Sequence, residues 1–117
     1  MEHKFVNFTN HPSDKWEAEQ RQSALEYGEI VDLPFPAVEA EADEAVINDM
    51  AASYVEKILK LQPCVVLCQG EFCLVFQVTT MLKAQGVTVL AACGKREVKE
   101  YGNKKEVTFK FVRFRKY

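Results

Sequence analysis

The spacing of apolar residues changes character along the chain, and the clearest change falls at residues 64–86. Cys64 to Cys68 is an unbroken apolar run, preceded by Pro63 and stopped by Gln69-Gly70. Its length and β-branched content predict a strand buried on both faces, as in the middle of a parallel sheet. From Glu71 to Gln85 the pattern becomes a long, mostly apolar segment with Gly86 just past its end. That predicts a helix with a glycine stop. Val87 to Ala92 is a second buried strand. A crossover helix between parallel strands is nearly always right-handed. Ligands of such units sit at the carboxyl ends of the strands, beside the helix amino terminus.

The flanking segments extend the alternation. Lys4 to Thr9, with Phe5, Val6 and Phe8, predicts a first strand, broken by Asn10-His11-Pro12-Ser13. Asp14 to Tyr27 predicts a helix, with Asp14 and Glu17 at capping-box spacing, Trp16, Ala24 and Tyr27 inward, and Gly28 as its stop. Glu29 to Leu33 is a short strand ended by Pro34-Phe35-Pro36, and Ala37 to Ala42 is loose and acidic. Asp43 to Leu61 is the clearest amphipathic helix, with Val46, Ile47, Met50, Ala51, Tyr54 and Ile58 near helical spacing. Arg96 to Glu100 and Glu106 to Lys116 predict a hairpin turning at Tyr101-Gly102-Asn103. The expected fold is one α/β Rossmann-like domain over residues 1–117, a mainly parallel β-α-β-α-β-α-β sheet ending in a β-hairpin. Helix 71–85, apolar on more than one side, is either covered by other elements or lies in a subunit interface, and a homodimer is expected.

Composition narrows the class. At 117 residues and 48% hydrophobic, the chain suits one globular domain with a real core. The opening Met-Glu-His-Lys-Phe lacks a leader's apolar core, and no uncharged stretch approaches the roughly 18–20 residues that cross a bilayer. A cytoplasmic protein without membrane association is expected. Net charge is −2, but residues 95–117 carry nine Lys/Arg against three Glu, so the acidity lies in the first 94. A basic end on an acidic body suits an anionic ligand, or simply an exposed ribbon balancing acidic helices. The four cysteines, at 64, 68, 73 and 93, lack paired CxxC spacing, and no metal site is expected. Cys64 and Cys68 read as small core residues sharing one strand face. Cys73, in a first helical turn where a thiol pKa is lowered, and Cys93, at a strand end, are the two candidates for reactivity.

Four strand-end loops (10–13, 34–36, 69–72 and 93–96) should gather along one sheet edge. They hold Asn10, His11, Ser13, Gln69, Gly70, Glu71, Phe72, Cys93, Gly94, Lys95 and Arg96. The usual dinucleotide, nucleoside-triphosphate and hydrolase signatures are missing. Gly70 allows a phosphate close approach to the backbone, and Glu71 opposes one unless it turns away to cap the helix. His11 alone among the loop groups has an ordinary pKa near neutrality, so it is either the acid–base group or a structural hydrogen-bonder. Arg96 with Lys95 suits phosphate recognition or a surface ion pair. Arg113 and Arg115 read as closing onto acidic helix faces.

Three patches, about a third of the chain, occur in the order seen in a known family. They are Asn10-His11 with Gln20, then Gln69-Gly70-Glu71-Phe72, then Arg96 with the ending Phe-Lys-Phe-Val-Arg-Phe-Arg-Lys-Tyr. This pattern resembles small CRISPR-accessory proteins with a Rossmann-like fold, proposed as ring nucleases that degrade cyclic oligoadenylate second messengers. That family has a Ser-His pair, Gln-Gly-Asp-Phe and Ala-Thr-Thr-x-Arg at these places. Here Asn10 replaces the serine, and Cys93-Gly94 the threonine pair.

The resemblance implies a cofactor-free, metal-independent reaction on a small cyclic RNA, with no long nucleic acid as partner. A ribose 2′-hydroxyl attacks its adjacent phosphate, so the protein must hold the sugar in line, stabilise charge and assist proton transfer. On that reading His11 and Arg96 are catalytic, His11 as acid or base. Arg96, Lys95 and the Gly70 N–H stabilise charge, while Asn10 and Gln69 position adenine or ribose. Two alternatives stay open: a non-cleaving sensor or sponge for the same ligand, and a Rossmann-like protein-interaction module.

Overall fold

The computed structural model describes residues 3–117; Met1 and Glu2, which open the segment read as lacking a leader, lie outside the described residues. The chain runs β1 (Lys4–Phe8), α1 (Ala18–Leu25), β2 (Glu29–Asp32), α2 (Glu44–Lys60), β3 (Val65–Cys68), α3 (Phe72–Ala84), β4 (Thr88–Tyr101) and β5 (Lys104–Lys116). The five strands form one sheet in the order β2-β1-β3-β4-β5. The first three ladders are parallel, with four, four and three residue pairs. The β4–β5 ladder is antiparallel and pairs twelve residues, from Leu90–Lys116 to Tyr101–Lys104.

That last ladder overturns the expected mainly parallel Rossmann-like sheet. The sheet is mixed, and its largest ladder is antiparallel. The predicted break at residues 93–96 does not occur, because the backbone after Ala92 finds a partner in β5 and pairs on as far as Tyr101. The expected hairpin is therefore the distal half of β4 and β5 themselves. Its turn falls where predicted, with Gly102 at φ 60°. A positive φ at the first of two turn residues suits the right-handed twist of the flanking strands.

A bulge decides how β5 packs. The register shifts between Cys93 and Gly94, which pair with Arg113 and Phe111, so Val112 is the extra residue. Strict alternation would put Phe111 and Phe114 on opposite faces. The bulge resets it, and both rings are buried in one cluster with centroids 4.9 Å apart. Phe5, Val65, Leu67 and Leu90 complete that cluster beneath α1. On the other face Val6, Phe8, Val66, Cys68 and Val89 pack against α2 and α3.

The helices follow their predicted patterns unequally. In α2, Ile47, Ala51, Val55 and Ile58 are buried at helical spacing, and Asp43 caps the helix by accepting from the Val46 N–H at 3.0 Å. In α3, Leu74, Val78 and Leu82 face inward, and Gly86, at φ 78°, follows the last turn. The predicted helix 14–27 is cut to Ala18–Leu25. Ser13–Lys15 is a 3-10 turn, and Trp16 and Glu17 are extended. Trp16 is drawn inward by its edge contact with Phe5 and by Nε1 donating to the His11 carbonyl at 3.0 Å, which a continuous helix would forbid. The Asp14–Glu17 capping box does not form. No helix among the described residues is long and apolar enough to cross a membrane.

Candidate functional site

Strands β1 and β3 are neighbours, yet β1 leads outward to β2 through α1 and β3 leads the other way to β4 through α3. Such a divergence opens a crevice at the carboxyl ends of the two strands. A cleft of about 410 Å³ lies there. Thr9 and His11 line it after β1, Leu67 and Gln69 at the end of β3, and Ala92 on β4. Lys15, Trp16, Glu17 and Gln20 form its α1 side, and Phe109 of β5 closes it.

The His11 loop is built before any ligand arrives. Asn7, only 1% exposed, donates from Nδ2 to the His11 carbonyl and to Asp32 Oδ1, both at 2.9 Å. Its Oδ1 accepts from the Thr9 hydroxyl at 2.8 Å, and Thr9 Oγ1 accepts from the His11 N–H at 3.1 Å. Asp32 in turn accepts from the Ser13 hydroxyl at 3.0 Å, and Arg21 donates to the Ser13 carbonyl at 2.9 Å. A satisfied buried network of this kind fixes one loop conformation. On the opposite wall Gln69 accepts from the Ala92 N–H through Oε1 at 2.9 Å, which holds its amide.

Of the residues expected at the sheet edge, His11 and Gln69 meet in the cleft. Asn10 is exposed on the same loop, and Ser13 is buried and engaged by Asp32. A Cβ on Gly70 would stand 2.5 Å from the Phe35 ring, so the missing side chain there seats an aromatic rather than a phosphate. Glu71 caps α3, accepting from the Cys73 and Leu74 N–H groups at 3.0 and 2.8 Å. Those backbone donors hold its carboxyl below the ordinary range. A hydrogen bond from the Cys73 thiol to Glu71, and then the charge of that carboxylate, push the thiol up, so the lowering expected at a helix start is reversed. Phe72, 89% exposed, points away from the cleft and lines an apolar groove between α2 and α3 with Phe76 and Ile47.

The residues at 93–96 sit within β4 instead of a loop. Strand alternation places Cys93 and the exposed Lys95 on the α2–α3 face of the sheet, away from the cleft. Gly94 faces the cleft side, where a Cβ would meet the Phe109 ring at 2.3 Å. Arg96 pairs with Phe109 across the ladder and stays outside the cleft lining. Cys64 precedes β3 and is exposed, whereas Cys68 is buried and its thiol is pushed up to about 11 by burial. The two do not share a strand face. Ion pairs within 4 Å among the described residues are Lys60–Glu56 and Lys105–Glu100, so Arg113 and Arg115 do not close onto helix carboxylates. Arg113 Nε donates instead to the Phe114 carbonyl at 3.1 Å. Among the described residues no three of His, Cys, Asp and Glu converge as metal ligands.

Sequence reasoning placed Lys15, Trp16 and Glu17 inside a helix and so missed them as cleft residues. Pro12 before a short polar turn was the available signal, since it limits how the helix can begin. A family model described as the uncharacterized protein MJ1673 family matches residues 3–115. The chain belongs to that family. The match takes in every helix and all of the strands but the last residue of β5, so the cleft and the β4–β5 ribbon both lie within the MJ1673-family region. Among curated proteins none matches the chain.

Proposed function

We propose that the cleft binds a cyclic oligoadenylate and opens it by attack of a ribose 2′-hydroxyl, in the manner of the CRISPR-accessory ring nucleases that the sequence resembles. The observation that carries this reading is the meeting of His11, Gln20 and Gln69, from two of the three resembling patches, in one cleft walled by Trp16 and Phe109. Aromatic walls stack bases, and side-chain amides read their edges. Lys15 supplies positive charge on the α1 side, the role first assigned to Lys95, Arg96 and the Gly70 N–H.

The step needs no group beyond the ligand and these side chains. The 2′-oxygen bonds to phosphorus as its proton leaves, the bond to the 5′-oxygen breaks, and a proton reaches that oxygen. The product ends in a 2′,3′-cyclic phosphate. Of His11 and Glu17, the two titratable groups on the wall that can serve as base and acid, one takes the 2′-hydroxyl proton and the other delivers a proton to the 5′-oxygen. Lys15 stabilises the charge that builds on the phosphoryl oxygens. The replacement of the family's threonine pair by Cys93-Gly94 falls outside the cleft lining, which leaves this assignment intact. A cytoplasmic setting fits such a ligand.

Incubation with cyclic tetra- and hexa-adenylate in EDTA, followed by chromatography, tests the reading. Linear or shorter adenylates bearing a 2′,3′-cyclic phosphate are expected. Intact ligand that co-elutes with the protein would replace cleavage by a sensor or sponge role. Neither cleavage nor binding would leave the interaction module.

A further inference from the structure

Beyond Cys93 the β4–β5 ribbon leaves the body of the protein, and every residue from Gly94 to Lys110 is exposed. A two-stranded ribbon alone is marginally stable in water. This one is also two-faced. Pairs Arg96–Phe109, Val98–Val107 and Glu100–Lys105 occupy one face, while the neighbouring pairs on the other carry four lysines and three further polar residues beside Tyr101. At the centre of the first face is an apolar patch, Val98, Val107 and Phe109, each about half exposed. Arg96 flanks it on one side and the Glu100–Lys105 ion pair on the other, and nothing else among the described residues covers it. We propose that a second copy of this chain covers it, the two ribbons packing face to face about a two-fold axis at the Val98–Val107 pair.

The charges flanking the patch fit a two-fold. Arg96 lies two residues before the central pair and Glu100 two residues after it, about 7 Å to either side. Antiparallel packing about that centre lays Arg96 of each copy on Glu100 of the other, twice per dimer. Glu100 then bridges the partner's Arg96 and Lys105 of its own chain, while Phe109 lies over the stem of the partner's Lys105. An isologous contact must be self-complementary in this sense. The alternative face, at the start of α3, is not: its exposed Phe72 and Phe76 border Asp43 and Glu44, and a two-fold there brings acidic rims together. The pairing also sets the partner's ribbon tip beside Phe109, at the mouth of the cleft. It does not depend on what the cleft binds.

Two charge variants test this in the whole chain by sedimentation. The wild type is expected to run as a dimer at tens of micromolar. Arg96→Glu and Glu100→Arg, each alone, place like charges opposite each other and should weaken self-association by about 10–100-fold. Mixed in equal amounts, the two should form a heterodimer at the wild-type concentration, because each then supplies the other's missing charge. That recovery also shows both variants to be folded. A monomeric wild type, single variants that dimerise normally, or a mixture that stays monomeric would overturn the proposal. So would loss of the dimer in Phe72→Asp, which would move the interface to α3.

Discussion

Replacing His11 with alanine is expected to slow cyclic oligoadenylate opening by about 10²–10⁴-fold, the usual worth of a positioned acid–base group. The same change should leave thermal stability almost untouched. The loop is held through the His11 main chain: its carbonyl accepts from Asn7 and Trp16, and its N–H donates to Thr9. The imidazole is exposed, and none of these bonds uses it. Single-turnover kinetics beside a thermal melt separates the two effects. An unchanged rate would remove His11 from the chemistry and return it to a structural role.

The largest loss of stability is expected at Asn7, a residue that touches no ligand. Leucine has no amide and a larger side chain, which also crowds this fully buried position. Asn7→Leu removes three hydrogen bonds, although the His11 carbonyl keeps Trp16 Nε1, the Thr9 hydroxyl still reaches that carbonyl at 3.3 Å, and Asp32 keeps Ser13. A lost hydrogen bond whose partner stays satisfied costs about 0.5–1.5 kcal/mol, overpacking by the larger side chain about 1–3, and water compensates Asp32 because that residue is exposed. The expected total is about 3 kcal/mol, or roughly 12 °C in Tm for a chain of this size. Urea denaturation should show a lower midpoint with an unchanged slope. The cleft should also lose its ligand, because the His11 loop has no other anchor to β2 than this network and the Ser13–Asp32 bond. A variant as stable as the wild type would show that water already serves these groups.

What the sequence disclosed follows from where local pattern decides structure. The buried run 65–68, the glycine stop of α3 and the face of α2 are short-range features, and each is read from neighbours a few residues apart. The error at 93–96 has a long-range cause. Cys-Gly-Lys-Arg resembles a loop until β5, some twenty residues on, supplies a ladder for it. The bulge at Val112 is equally invisible to alternation, and it is what buries Phe111 and Phe114 together. The placement of Arg96 changes for that reason. It lies on the cleft-side face of β4 but beyond the cleft lining, whereas Lys15, hidden in an overlong helix, stands in the cleft. Gly70 was read as room for a ligand, and that room is filled by Phe35; Gly94, expected in a loop, lies in β4 against Phe109.

Trp16 is the chain's single tryptophan, and it lines the cleft. Its emission therefore reports directly on whether a base enters there. Titration with cyclic tetra- and hexa-adenylate, using Gln69→Ala as the comparison, tests the central claim. Saturable quenching by at least one ring, weakened in the variant, is the predicted result. Emission unchanged by either ring up to about 100 μM, an affinity of only about 5.5 kcal/mol, would contradict the assignment of this cleft to cyclic oligoadenylates.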